Sequence, residues 1–236
     1  MLINLTRTSL RPVPKTQGAR ARLNRDVICR AAQELLVSGD AESFSLRALG
    51  DHLGVDPTAF YRHFQDKEDL LREVGDRALA PSTKGFVSTD DPADDIRRLC
   101  LGVRRALLKN QVAISITSRG PTRHVNELRI TEILLDALLR AGLEPKVAAL
   151  TYHVFIEFTV GSAALDAPLA ASAAARRETY QRWRSDYRAL PADEYPAISI
   201  LGPRLYPSSD DVFELGLDAL IDRLVVAPKK PSAGDQ

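Results

Sequence analysis

The sequence predicts an all-α protein in two parts: an N-terminal three-helix head that contains a helix-turn-helix and a larger C-terminal helical domain. Three observations predict the architecture. After residue 23 apolar residues recur at intervals of three and four nearly everywhere, as helices facing a core require. No stretch shows the period-two Val/Ile/Thr alternation of a half-buried strand. Two clusters, Pro81-Ser82-Thr83-Lys84-Gly85 and Thr89-Asp90-Asp91-Pro92, interrupt the helical period and mark the best domain boundary. With 236 residues, 44% of them hydrophobic and 27% charged, the chain suits one large or two modest globular domains, and wholesale disorder is excluded. No run of about 20 apolar residues is apparent, so no membrane span is expected, and Leu2–Leu5 is too short for the apolar region of a signal peptide. Cys29 and Cys100 are too few for a disulfide framework or a cysteine metal site, which points to a reducing, cytoplasmic compartment.

Formal net charge is +1, which taken alone argues against a partner as charged as nucleic acid. The charge is unevenly placed. Residues 1–25 hold Arg7, Arg11, Lys15, Arg20, Arg22 and Arg25 with no acid, whereas residues 26–80 carry six basic against eleven acidic side chains. Residues 1–22, with Pro12 and Pro14, are too polar to bury a core and read as a flexible basic arm. Such an arm is either a leader or a segment that binds phosphates or lies in a minor groove. The last ten residues, 227–236, read as a flexible tail.

The elements follow in order. Val27, Ile28, Ala31, Leu35 and Leu36 form one apolar face that Gly39 ends. Ser45 caps a short helix carrying Leu46, Leu49 and Leu53, and Gly54 stops it. Asp56 caps the next, with Pro57 at its first position, and that helix runs to about Phe64. Asp66 caps a fourth, over 66–79, with Asp69 as a capping-box-like partner. Beyond the boundary, helices are expected at 92–109, 112–119, 124–141, 145–171, 173–189 and 209–225, and a short one at 195–205. The domains are therefore 23–80, comprising the helix-turn-helix and its connecting helix, and 91–226.

Residues 45–64 carry the function. Two short helices joined by a tight Gly-containing turn place the second where it can enter a DNA major groove. With Phe60 and Phe64 inward, Thr58, Tyr61, Arg62 and Gln65 point outward, and Arg and Thr suit base edges while Tyr suits phosphates. Arg47 and Lys67 flank that face as phosphate contacts. The plain alternative is a helical hairpin with a solvated polar face.

Residues 23–74 resemble the DNA-binding domain of the TetR (tetracycline repressor) family. The residues that carry the resemblance are Ala31-Ala32-x-x-Leu35-Leu36-x-x-Gly39, Ser45-Leu46-Arg47-x-Leu49, Leu53-Gly54-Val55 and, above all, Thr58 to Leu71. The resemblance implies that Ser45 and Arg47 touch the DNA backbone and that Pro57, Thr58 and Ala59 approach bases. It also implies that Tyr61, His63 and Lys67 clamp phosphates. A packing or capping role stays open for His63, which lies between the inner and outer faces of its helix. Phe213 to Leu224 is similar to the terminal helix of the tetracycline-repressor subgroup. The family's C-terminal half holds a ligand pocket and a two-fold dimer interface.

For that half the residues indicate the following. Phe213, Leu217, Leu220, Ile221 and Leu224 form an apolar stripe, and Val160, Gly161 and Ala164 lie on a small-residue face that another helix can approach. Together they predict a four-helix homodimer interface, the alternative being packing inside one monomer. Pocket candidates are the apolar Leu99, Val103, Leu107, Ile114, Leu134, Leu138, Phe155 and Ile156. Polar candidates are Arg119, His124, Asn126, Tyr152, His153 and Glu157, with Trp183 either covering the pocket or anchoring its own helix. His153 and Glu157 at i, i+4 lack a third ligand, so an intrahelical pair is expected and neither metal nor cofactor. Cys29 and Cys100 read as small hydrophobes. The expected protein is a dimeric repressor that binds a palindromic double-stranded DNA operator and is released by a small-molecule effector. The alternative, a helical enzyme or carrier with an incidental helix-turn-helix, lacks a nucleophile elbow, phosphate loop or zinc motif in its favour.

Overall fold

The computed structural model describes residues 23–38, 44–166 and 173–226. The basic arm, Gly39 and the tail lie outside the described residues, as does the end of the helix expected to reach 171. Ten α-helices are described: α1 (Arg25–Ser38), α2 (Leu46–Leu53), α3 (Lys67–Thr83), α4 (Pro92–Leu108), α5 (Gln111–Thr117), α6 (Val125–Arg140), α7 (Pro145–Asp166), α8 (Ala173–Arg188), α9 (Pro196–Leu201) and α10 (Ser209–Ile221). Between α2 and α3 lies a 3₁₀ helix, Pro57–Arg62; a second, Gly202–Arg204, follows α9, and a π turn, Asp222–Val226, is the last described element. No strand occurs among the described residues.

Two apolar cores form. The smaller gathers Ile28, Ala32, Leu36, Leu49, Phe60, Phe64, Leu70 and Val74 from α1, α2, the 3₁₀ helix and α3. The larger gathers residues of α4, α6, α7 and α10, among them Ile96, Leu107, Leu134, Phe155, Phe213 and Leu217. Ile116 of α5 belongs to the smaller core, while Ala113 and Ile114 of the same helix belong to the larger. Helix α5 thus joins the two. Helix α3 packs against α1 on one side and against α4, α5 and α6 on the other, and it is the rigid connection between the halves.

The helix starts follow the sequence. Ser45, Asp56 and Asp66 cap their helices through side-chain oxygens, accepting from the backbone N–H of Ala48, Thr58 and Asp69 respectively. Asp69 answers by accepting from the Gln65 N–H at 3.1 Å, one residue earlier than a capping box would have it. Two expectations change. Pro81 does not stop α3, which continues to Thr83. A proline so near the end removes only one ladder bond, that to the Arg77 carbonyl; next to it Ser82 Oγ donates to the Leu79 carbonyl at 2.6 Å. Helix α7, at 22 residues, is by length and composition long and apolar enough to cross a membrane, contrary to the expectation of no such run. It packs against α4, α5, α6 and α10.

Buried polar ties fix these helices. Arg104 of α4 is ion-paired with both Asp166 and Asp210, and lies over the Phe213 ring at 4.8 Å, so α4, α7 and α10 share one guanidinium. Asp95, fully buried, accepts from the Thr89 N–H at 3.0 Å and from Arg140 at 2.6 Å, and pairs with Arg98. Burial works against its charge, but the Arg140 and Thr89 hydrogen bonds prevail and hold the carboxyl below the usual range.

Candidate nucleic-acid interface and internal cavity

The helix-turn-helix depends on one close contact. A Cβ on Gly50 would sit 2.8 Å from the Val55 carbonyl oxygen and 3.0 Å from Pro57 Cγ. Only glycine lets α2 approach the following helix this closely. Gly54, at φ +66°, ends α2 in the left-handed conformation. The helix expected to run through Phe64 is instead a 3₁₀ helix over Pro57–Arg62. Pro57 supplies no N–H at its start, and Asp56 Oδ1 accepts from both the N–H (2.8 Å) and the hydroxyl (2.5 Å) of Thr58, tightening the first turn. Those two bonds also hold the Asp56 carboxyl below its usual range.

The faces nevertheless fall as expected. Phe60 and Phe64 are buried, Thr58, Arg62 and Gln65 are exposed, and Tyr61 is 60% exposed. With three residues per turn, Thr58 and Tyr61 stand on one line and Ala59 and Arg62 on the next. Ser45 and Arg47 are exposed beside them at the start of α2. Among the described residues, Arg47 and Arg62 have no hydrogen bond or ion pair. Pro57 and Ala59 are half-buried, and Pro57 packs against Gly50, so it shapes the turn.

Two cations make internal ties. Lys67 donates to the Phe44 carbonyl at 2.5 Å and lies 5.6 Å from the centre of its ring, tying α3 to the entrance of α2. Arg25, absent from the sequence-derived site, donates to the carbonyl of His63 and pairs with Glu73 of α3, with its guanidinium 4.3 Å from the centre of the Phe64 ring. The end of the 3₁₀ helix is thereby fixed to α1 and α3. His63 is the C-cap, half-buried, its N–H bonded to the Phe60 carbonyl. Glu73 also accepts from Arg77, and although burial opposes its charge, the two guanidinia keep its carboxyl below the usual range. A paired Arg/Glu at a separation of 48 leaves no local signal in the sequence.

A cavity of about 470 Å³, open to solvent at one side, lies between α4, α6, α7 and the loop after α5. Six of the fifteen candidates line it: Val103, Leu107, Tyr152, His153, Ile156 and Glu157. Leu99, Ile114, Leu134, Leu138 and Phe155 are core instead. Arg119 lines a separate cleft against Glu68 and Arg72 on α3. His124 lies 3.5 Å from Asp69, and Asn126 donates to Asp76 at 2.7 Å. Trp183 anchors its own helix, in a ring cluster with Tyr180 and Tyr206, and lines no part of the cavity. Residues that sequence reasoning missed complete the wall: Leu79, Thr117, Ser118, Gly120, Pro121, Thr122, Glu127, Ile130 and Thr131. Val160, Gly161 and Ala164, read from sequence as interface, line it too. His153 and Glu157 make no hydrogen bond with each other; His153 instead meets the Tyr152 ring edge-on.

The wall is bonded to α3. Asp76, buried on α3, accepts from the hydroxyl of Thr122 (3.0 Å), the N–H of Asn126 (3.1 Å) and the N–H of Glu127 (2.8 Å). It does for α6 what a local N-cap would do, since His124 at the N-cap position makes no side-chain capping bond.

The outward apolar surface differs from the expected stripe. Phe213, Leu217 and Ile221 are buried in the protomer's own core, and Leu220 and Leu224 are half-buried against it. Close helix approach occurs at Gly216, where a Cβ would lie 2.5 Å from Phe158; a Cβ on Gly161 meets open space. The side chains left outward are Leu150, Val154 and Leu165 on α7 and Val212 and Leu215 on α10. Cys29 and Cys100 are buried, and burial pushes both thiols up to about 12, so they act as apolar groups.

The comparisons agree with this geometry. Residues 28–74 match the family model described as bacterial regulatory proteins, tetR family, and residues 87–226 match the tetracyclin repressor-like C-terminal domain. The tetracycline repressor protein class C of Escherichia coli is 29% identical over 206 residues, covering 86% of this chain and 87% of that one. An HTH-type transcriptional repressor of Mycobacterium tuberculosis is 27% identical over 141 residues, 59% of this chain, and the match spans only 46% of that longer protein. Among solved structures, the Streptomyces coelicolor TetR family protein ActR in complex with actinorhodin superposes with a TM-score of 0.77 at 22% identity, covering 89% of this chain and all of that one. BioQ, known from Mycobacterium smegmatis, in complex with its double-stranded DNA operator gives 0.61 at 21% identity, covering 87% and 99%. At those identities the superpositions speak for the fold, and the two family models together account for most of the chain. The chain belongs to the TetR family of bacterial transcriptional regulators.

Proposed function

We propose that the protein is a ligand-responsive dimeric repressor. It binds a palindromic double-stranded operator through the 3₁₀ helix Pro57–Arg62 and is released when a small-molecule effector enters the cavity. The observation that carries this reading is the segment 118–127, the loop after α5 with the first turn of α6, which walls the cavity and is bonded through Asp76 to the helix bearing the DNA head. Thr58, Tyr61 and Arg62 face the major groove, and Ser45, Arg47, His63 and Lys67 lie beside the phosphates, with Pro57 and Ala59 shaping the turn. The basic arm, residues 1–22, adds phosphate contacts.

A second copy covers the outward apolar face of α7 and α10, which places two heads one turn of DNA, about 34–36 Å, apart. An effector that prefers the cavity with loop 118–124 displaced shifts Thr122 and the start of α6, and Asp76 carries the shift to α3. Linkage requires that DNA weaken effector binding by the same factor. Such a regulator works in the cytoplasm.

The test is salt-sensitive, sequence-selective binding of the full chain to DNA from its own promoter region. Loss of operator binding on effector addition should shrink at least about tenfold in Asp76→Ala, a coupling change of about 1.4 kcal/mol. An Asp76→Ala protein that folds, binds DNA and is released normally would remove Asp76 from the mechanism.

A further inference from the structure

We propose that the cavity is selective for lipophilic organic cations over anions of the same shape. This rests on reading the cavity as the effector site and names the chemical class that it takes. Its walls are largely apolar, with Leu79, Val103, Leu107, Ile130, Ile156 and Val160 among them, and at about 470 Å³ it suits a drug-sized organic molecule.

The charged groups are one-sided. Among the described residues no Lys or Arg lines it, whereas Glu127 and Glu157 do, and His153 is the one described lining side chain able to carry positive charge. Glu127 is held in place: Thr131 donates to its Oε1 at 2.8 Å and the Arg123 N–H to its Oε2 at 3.1 Å. The Thr131 hydroxyl in turn lies 2.9 Å from the Tyr152 hydroxyl. Glu157 stands at the open rim of the cavity, exposed, with no hydrogen bond or ion pair among the described residues. Arg72, Arg119 and Arg123 line the cleft on the other side of the 118–124 loop, and Arg104 is neutralised by Asp166 and Asp210.

A ligand entering such a cavity exchanges water for apolar walls, so an ionic ligand needs an opposite charge to offset its lost hydration. A cation finds the Glu157 carboxylate at the rim, without a partner among the described residues, and the field of the half-buried Glu127 behind it. An anion of equal size meets repulsion from both.

Tetraphenylphosphonium and tetraphenylborate share one shape and carry opposite charges, so calorimetric titration of the full chain with each isolates the electrostatic part. The phosphonium should bind at least about tenfold more tightly, and Glu157→Gln should narrow the ratio to within about threefold. Ala164→Trp, which fills the cavity from α7, should abolish phosphonium binding while helical circular dichroism stays unchanged. Equal or preferential borate binding, binding of neither probe, or phosphonium binding that survives Ala164→Trp in a folded protein would overturn the proposal. Operator binding is read separately by gel shift. DNA binding with borate preference removes only the charge selectivity. Phosphonium preference without DNA binding removes the repressor reading and leaves the cavity's selectivity standing.

Discussion

Arg62 is exposed on the 3₁₀ helix without a partner among the described residues, and Arg47 is exposed at the start of α2 in the same condition; in the proposed repressor the two would play different parts. A guanidinium on the groove-facing helix can pair with two acceptors on guanine, so Arg62→Ala should cost about 1–3 kcal/mol and relax preference at one base step. A guanidinium beside the backbone reads no base, so Arg47→Ala should weaken binding evenly across sequences and lower the salt slope by about 1. Gel shifts on an operator and its single-base variants, repeated across salt, separate the two. The buried carboxylates act on stability instead. Glu73 and Asp95 are both held below the usual carboxylate range by their guanidinium partners, against the opposition of burial. Their folded forms bind protons less readily than the unfolded chain, so the stability they contribute is present above about pH 4 and lost as pH falls through their lowered values. Stability measured by urea unfolding should therefore decline below about pH 4. Asp95→Asn should start lower at neutral pH, by about 3–5 kcal/mol for a broken buried pair, and decline less steeply on acidification.

At the scale of elements, the head rests on tight contacts between short pieces. Gly50→Ala would drive a methyl against the Val55 carbonyl and Pro57, neither of which is a flexible side-chain end. The expected outcome is a loss of about 1–3 kcal/mol by overpacking, with operator affinity falling further because the 3₁₀ helix is tilted off its seat. Thermal unfolding followed at the head, beside a DNA titration, checks both. Much of this was legible in advance. The caps at Ser45, Asp56 and Asp66 appear as local residue choices that satisfy free N–H groups, and local chemistry can be read locally. The 3₁₀ form of Pro57–Arg62 was not, because Pro57 and Asp56 favour a helix start of either kind and only packing on Gly50 selects the tighter turn. The external cap that Asp76 gives α6 was equally hidden, since it joins residues 50 positions apart.

Across the whole molecule, the question is which apolar faces meet a second copy. Leu150, Leu165 and Leu215 remain 63%, 80% and 74% exposed in the protomer, on neighbouring α7 and α10. Exposed apolar area of this kind marks an interface. Leu215→Glu should convert the dimer to a monomer in sedimentation measurements at micromolar concentration while leaving the fold intact, because its side chain supports no core. It should also abolish tight operator binding, since one head then engages one half-site. Leu217→Glu, two residues on and fully buried, should instead prevent folding.

Periodicity, capping residues and the motif from Thr58 to Leu71 were sufficient by themselves for an all-α chain with a helix-turn-helix head, and for the outward placement of Tyr61 and Arg62. Helix formation and capping depend on neighbours within about four residues, which a sequence displays directly. Which partner each apolar face meets was decided only by the tertiary structure. Phe213, Leu217 and Ile221 turned inward while Val212 and Leu215 turned out, and Val160, Gly161 and Ala164 came to line a cavity. Apolar residues lie on every side of α7, with Phe155 in the core, Ile156 at the cavity and Val154 outward. A repeat of three and four reports that a face is buried; it carries no information about whether core, ligand or second protomer buries it.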